Sequence, residues 1–148
     1  MRLLVVHHTP SPALHTLLDA VLDGARQVEG VEVVSRPALT ASPADALDAD
    51  GYVLGAPVNL GMMAGALKHF FDQAYYPCLD ATATRPFGVY LHGTDDAAGA
   101  QRDIGKIVTG LRWTRVHDDV VVLGRPTSAD VAAAWDLGAT VAARLTLD

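Results

Sequence analysis

Apolar residues along the chain alternate between two periodicities. Leu3-Leu4-Val5-Val6, Gly51-Tyr52-Val53-Leu54 and Val120 to Leu123 are short, nearly unbroken apolar runs. Runs of this kind suit strands covered on both faces, as in a parallel sheet. Val31 to Ser35 and Phe87 to Leu91 read as two further strands. Between the strands the apolar positions recur at helical spacing. Leu14, Leu17, Leu18, Val21, Leu22 and Ala25 form one such face, and Met63, Ala66, Leu67, Phe70, Phe71 and Ala74 a second. Ala100, Ile104, Ile107, Val108 and Leu111 form a third, and Val131, Trp135, Ala139, Ala142 and Leu145 a fourth. A short helix to about Leu47 completes the series.

Helix starts are marked by Ser11-Pro12, Ser42-Pro43-Ala44-Asp45 and Thr127-Ser128-Ala129-Asp130. Each pairs a capping side chain with a residue suited to the first turn. Gly24 and Gly30 are candidate breakers after the first helix, and Pro77 would end the third. Five strand–helix units imply a three-layer α/β fold, with a five-stranded parallel sheet and helices on both faces.

Composition narrows the possibilities. Half of the 148 residues are hydrophobic and 19% are charged, enough apolar material for a packed core in a single domain spanning 1–148. The balance of 17 acidic against 11 basic residues gives a net charge of −6. Without a Lys/Arg cluster, neither nucleic acid nor an anionic membrane is expected as a partner. One cysteine forms no internal disulfide or multi-Cys metal site. No apolar run approaches the roughly 18 residues of a membrane span, and the N-terminal run is too short for a signal peptide, so a cytoplasmic location is expected.

In an open α/β sheet the ligand lies beyond the carboxyl ends of the strands. That directs attention to loops 7–12, 55–63 and 92–99. His7-His8-Thr9-Pro10-Ser11-Pro12-Ala13 leads into a helix N-terminus, which attracts anions. Thr9 and Ser11 add hydroxyls, whereas Pro10 and Pro12 each remove a backbone donor. The alternative is an ordinary helix cap. Gly55-Ala56-Pro57-Val58-Asn59-Leu60-Gly61-Met62-Met63 is mostly apolar for a loop, which suits a flat apolar ring with Asn59 reading its polar edge. The alternative is a loop packed on the neighbouring helix. His92-Gly93-Thr94-Asp95-Asp96 has polar groups but no second ligand set at metal-like spacing, so no metal site is expected.

The stretch Asp50 to Asp72, DGYVLGAPVNLGMMAGALKHFFD, resembles the pattern aDgyilGsPvyfGsmsgqlKaflD of the flavodoxin-like superfamily. That superfamily includes flavodoxins and NAD(P)H-dependent FMN and quinone reductases. Similarity extends through Arg85-Pro86-Phe87-Gly88-Val89-Tyr90 and Thr109-Gly110-Leu111, and the order of elements agrees over nearly the whole chain. The resemblance implies a flavodoxin-like fold with sheet order 2-1-3-4-5 and FMN as cofactor. It matches Thr9 and Ser11 to the first two hydroxyl positions of the family's phosphate loop; Ala13, Leu14 and His15 still offer backbone N–H groups there, and His15 and Thr16, in the first helical turn, could compensate for the departures from the pattern. Pro12 stands where the family's S-x-T-G-x-T loop has Gly, and Leu14 where it has the last Thr. Pro57, Val58, Asn59, Leu60, Gly61 and Met62 would line the isoalloxazine, and His92, Gly93 and Thr94 would form the second ring-contacting loop. Phospho-receiver domains share this order of elements but need acidic residues where this chain has His7-His8 and Gly55-Ala56.

The expected function is therefore an FMN-dependent oxidoreductase. It would carry hydride or electrons from NAD(P)H to a quinone-like or other small acceptor. An electron carrier serving a redox partner protein is the second reading, and a binding protein that has lost FMN the third. A homodimer is the oligomer suggested by the reductase branch. Catalytic chemistry would reside on the flavin, with His92 a candidate proton donor. Tyr75 and Tyr76 would wall a substrate pocket or a subunit interface, or pack on the domain's own surface. Trp113 and Trp135 read as core or interface residues, Cys78 as a small packing residue, and Lys68 as solvated.

Overall fold

The computed structural model describes residues 1–147. In chain order the elements are β1 (Arg2–His7), α1 (Pro12–Ala25), β2 (Glu32–Pro37), α2 (Pro43–Asp48), β3 (Gly51–Asn59), β4 (Met62–Met63), α3 (Gly65–Cys78), β5 (Pro86–Gly93), α4 (Ala98–Leu111), β6 (Thr114–Arg115), β7 (Val120–Leu123) and α5 (Ser128–Arg144). The sheet runs β2-β1-β3-β5-β6, with β4 paired to β3 and β7 also paired to β5.

Layering and parallel pairing agree with the apolar pattern, but the sheet has seven strands where five were expected. One extra strand arises because β3 continues to Asn59 and folds back antiparallel through β4. The other arises at the edge. There β6 pairs with Pro86-Phe87 and β7 with Tyr90 to Gly93, and residues 116–119 bulge out between them. Two-residue strands are too short for any periodicity to reveal them. Two boundaries also move. The third helix runs one residue past Pro77, and β5 takes in His92 and Gly93, which were expected in a loop.

Alternation along the strands sorts side chains into two cores. Leu4, Val6, Leu54, Val89 and Leu91 face α3 and α4. Leu3, Val5, Val53, Tyr90, Val120 and Val122 face α1 and α5. On the first face Trp113 stacks on Tyr52 with ring centroids 3.9 Å apart and donates its indole N–H to Thr82 Oγ1 at 2.8 Å. Arg85 holds short α2 in place, donating to the carbonyls of Leu47 (2.9 Å) and Ala49 (2.7 Å) at its C-terminus. On the second face α1 and α5 approach closely because each carries a glycine at the contact. A Cβ on Gly138 would stand 2.0 Å from the Val21 carbonyl oxygen.

The edge bulge is fastened to α5 by His117. Its Nε2 lies 2.9 Å from an Asp136 carboxylate oxygen and its Nδ1 2.7 Å from the Asp118 carbonyl. Both neighbours only accept, so the doubly protonated ring alone satisfies both. Burial lowers the affinity of this ring for a proton, but those two acceptors outweigh it and raise the pKa above 6.5.

Two predictions follow from this packing. Gly138→Ala should cost about 2–3 kcal/mol, because the new methyl meets backbone that cannot rotate away. Gly105→Ala, in α4 with nothing within 4 Å of the added carbon, should stabilise by about 0.5–1 kcal/mol. Denaturant unfolding of both variants checks the pair; equal effects would contradict the close approach. For His117 the sign follows from its raised pKa. Its stabilisation is present in full below pH 6.5 and is lost as pH rises through the folded-state value. An NMR titration should place the His117 midpoint above 6.5, and Asp136→Asn should bring it down.

Candidate functional site

Register brings the carboxyl ends of the central strands level, His7 pairing with Gly55 and Pro57 with His92. The segments that follow them open together at one end of the sheet. His8 N–H donates to the Gly55 carbonyl at 2.9 Å, which ties the first loop to β3.

In the first loop Ser11 caps α1, its Oγ accepting from Leu14 N–H at 3.3 Å. Pro12 occupies the first helical position, where a missing N–H costs least. Leu14 is buried in the core and contributes only that N–H. His15 and Thr16 are exposed on the first turn, with Thr16 Oγ1 donating to the Pro12 carbonyl at 3.1 Å. Among the described residues, the backbone N–H groups of Thr9, Ser11 and Ala13 have no protein acceptor. With the positive end of the α1 dipole they form a set of donors suited to an anion. Thr9 Oγ1 lies 2.7 Å from His7 Nδ1. Burial lowers the pKa of His7, and the neighbouring His15 and His8 lower it further, so this ring is neutral at pH 7.

The second segment is a hairpin and not the open loop its composition suggested. Val58 pairs with Met63 and Asn59 with Met62, leaving Leu60-Gly61 as a two-residue turn. Both turn residues have positive φ, 53° at Leu60 and 72° at Gly61, the backbone of a type I′ turn. Leucine is a poor residue for that position, whereas asparagine or glycine fits it readily. Leu60 is nonetheless 92% exposed and Met62 54% exposed. An apolar tip held out in an unfavourable backbone conformation gains nothing from the rest of the fold. The hairpin is seated on α4: Met63 N–H donates to Asp103 Oδ2 at 2.9 Å, and a Cβ on Gly99 would stand 2.0 Å from the Gly61 carbonyl oxygen.

In the third segment His92 and Gly93 belong to β5, and only Thr94 and the residues after it form the loop. His92 Nε2 lies 2.7 Å from the Gly124 carbonyl, so that nitrogen carries the proton. The bond draws in a segment that the sequence reading passed over, Gly124-Arg125-Pro126 after β7. Pro12, Ala13, Thr16, His92, Gly124, Arg125 and Pro126 line a cleft of about 450 Å³ beside the α1 N-terminus. The carboxyl-end rule that selected the other three loops applies equally to this one. Arg125 is exposed there and brings a positive charge.

Tyr75 and Tyr76 are not near this end. Helix α3 runs antiparallel to the strands, so its last turn lies at the opposite end, where Tyr75 packs over Gly110 of α4. Trp113 and Cys78 are buried, Trp135 is 42% exposed on α5, and Lys68 pairs with Asp72.

No family model matches the chain. Over 72 residues, 49% of the chain, it is 35% identical to a flavodoxin of Aquifex aeolicus (strain VF5), and the match spans 39% of that protein's length. It is 24% identical to an NAD(P)H dehydrogenase (quinone) of Geotalea uraniireducens (strain Rf4), over 85% of this chain and 72% of the other. A flavodoxin structure from the domain Archaea superimposes with a TM-score of 0.86 at 15% identity, covering 99% of this chain and 100% of that one. The sheet order and the superposition give the chain a flavodoxin-like fold, and its sequence is similar to a flavodoxin and to an NAD(P)H dehydrogenase (quinone).

Proposed function

We propose that the chain binds FMN at the carboxyl end of the sheet and passes hydride or electrons from NAD(P)H to a quinone-like or other small acceptor. The observation that carries this reading is the strained, exposed Leu60 tip on the hairpin that extends β3, the strand next to β1, whose following loop has unpaired N–H donors. A molecule with an anionic end and a flat apolar end accounts for both. The likeness to a flavodoxin and to a quinone dehydrogenase supports it.

The residues fit such a group. Thr9, Ser11 and Ala13 would donate their backbone N–H groups to the phosphate, and Arg125 would add charge from across the cleft. Leu60 and Met62 would cover the ring and exclude water, with Val58, Asn59 and Pro57 along its edge. His15 and Thr16 border the phosphate end, and Gly93 and Thr94 the ring end. When bound, the flavin supplies the hydride and electron chemistry. His92 holds the 124–126 segment through Nε2, so in its neutral form it offers an acceptor at Nδ1 and is a positioning group rather than a proton donor.

A carrier function has support of its own in the exposed Asp95 and Asp96 at the rim, within a chain of net charge −6. Those charges would steer a basic redox protein. Oxidation of NADH or NADPH with a quinone present, by protein loaded with FMN, supports the oxidoreductase. Its absence, together with rapid reduction by a ferredoxin-type reductase, supports the carrier.

Titration with FMN should quench flavin fluorescence and yield a yellow protein; no binding at micromolar FMN would overturn both redox readings. Ser11→Asp keeps a good helix cap but sets a carboxylate against the phosphate. It should weaken FMN binding at least about tenfold, leave riboflavin binding unchanged and leave the melting temperature nearly unchanged. Leu60→Asn relieves the turn and should stabilise the protein by about 0.5–1 kcal/mol while weakening FMN and riboflavin alike. Unchanged flavin affinity would remove Leu60 from the site.

A further inference from the structure

His7, Gly55 and Tyr90 stand side by side on adjacent strands β1, β3 and β5. All three lie on the face covered by α1 and α5, since alternation sets them with Leu3, Val5 and Val53. Tyr90 is fully buried, and among the described residues its hydroxyl is the one buried side-chain polar atom without a partner. Native cores seldom leave such a group unpaired, and a bound water is a common resolution.

Gly55 shows where this hydroxyl points. A Cβ there would lie 1.8 Å from the ring carbon that bears the hydroxyl and 2.3 Å from its oxygen. The Tyr90 ring therefore reaches over β3, with its hydroxyl toward β1. His7 stands on that side, one strand spacing of about 4.8 Å beyond Gly55. Its Nδ1 is engaged with Thr9 Oγ1, and its Nε2 has no protein partner among the described residues.

Proton bookkeeping makes the arrangement directional. The Thr9 hydroxyl has one proton. It can donate outward to an anion only if its oxygen accepts from His7 Nδ1–H. A neutral His7 protonated at Nδ1 presents a bare Nε2, which then needs a donor. Tyr90 is suited to that role: burial, and after it the charge of Asp19, push its pKa up and keep the phenol protonated.

We propose that one buried water links the Tyr90 hydroxyl to His7 Nε2, so that Tyr90 and His7 act as positioning residues that turn the Thr9 hydroxyl outward as a donor to an anion at the first loop. Each bond in the chain carries one proton, from phenol through water and imidazole to threonine. The anion end of this inference rests on the phosphate-binding reading of that loop, but the state of His7 does not.

Nitrogen NMR of the ligand-free protein reads the His7 tautomer directly. The wild type should show the proton on Nδ1, and Tyr90→Phe, which removes only the hydroxyl, should move it to Nε2. Tyr90→Phe should also weaken FMN binding about tenfold, the value of one hydrogen bond to a charged group, with riboflavin affinity unchanged. Thr9→Val should produce the same loss, and the double variant no more than either alone. A wild-type proton on Nε2, or a His7 ring unaffected by Tyr90→Phe in a protein that becomes more stable, would show the hydroxyl to be merely orphaned and overturn the proposal. Failure of the wild type to bind FMN would instead sink the flavin reading, and the tautomer would still decide this one.

Discussion

Everything at the ligand end depends on the parallel register of β1, β3 and β5. Because Leu3 sits beside Gly51 and Tyr52 beside Phe87, the strands climb in step. Their last rungs bring His7 beside Gly55 and Pro57 beside His92. A shift of one residue in β3 would turn Val53 toward α3 and would also lift Gly55 from under the Tyr90 ring. The packing of both cores and the layout of the ligand end are thus set by the same hydrogen-bond ladder. Helices on both sides hold that ladder, and the glycine contact between α1 and α5 lets the second layer lie flat.

The layers were legible because continuous apolar strands and helical spacing are physically distinct patterns, and the caps at Ser11, Ser42 and Thr127 mark helix starts chemically. Other features leave no local trace. The β3–β4 hairpin was hidden because Leu60-Gly61 lacks the Asn-Gly signature of its turn. In place of that Asn the turn carries an exposed apolar side chain in a backbone conformation that does not favour it. Gly124-Arg125-Pro126 also follows the carboxyl end of a strand, but nothing in its composition singles it out, and the bond from His92 appears only in the folded chain. Tyr75 and Tyr76 were misplaced because nearness in sequence to the Leu60 segment says nothing once α3 has carried the chain back across the sheet. The role of Gly55 becomes visible only with the neighbouring strand in place.

The carboxyl ends of the adjacent strands β1 and β3 lead into segments of opposed character. The first loop offers N–H donors where two prolines have removed others, and the hairpin offers apolar surface at a conformational cost. Neither arrangement improves the stability of the protein by itself, and such local departures from the best choice tend to mark working surfaces. The histidines divide similarly. Burial and its histidine neighbours lower the pKa of His7, whereas a carboxylate and a carbonyl raise that of His117 at the sheet edge. Protonation is thus disfavoured at His7 and favoured at His117.

The divided edge strand has a consequence for the life of the protein in a crowded solution. A parallel sheet ends in strands whose outer N–H and C=O groups could recruit another chain. Here one border consists of two fragments, of two and four residues, interrupted by the bulge that carries Asp118 and Asp119. The opposite border, β2, bears Glu32 and Arg36 and ends at Pro37, which has no N–H to give. The divided border offers no long unbroken template for a foreign strand, and the other carries charge and closes on a proline.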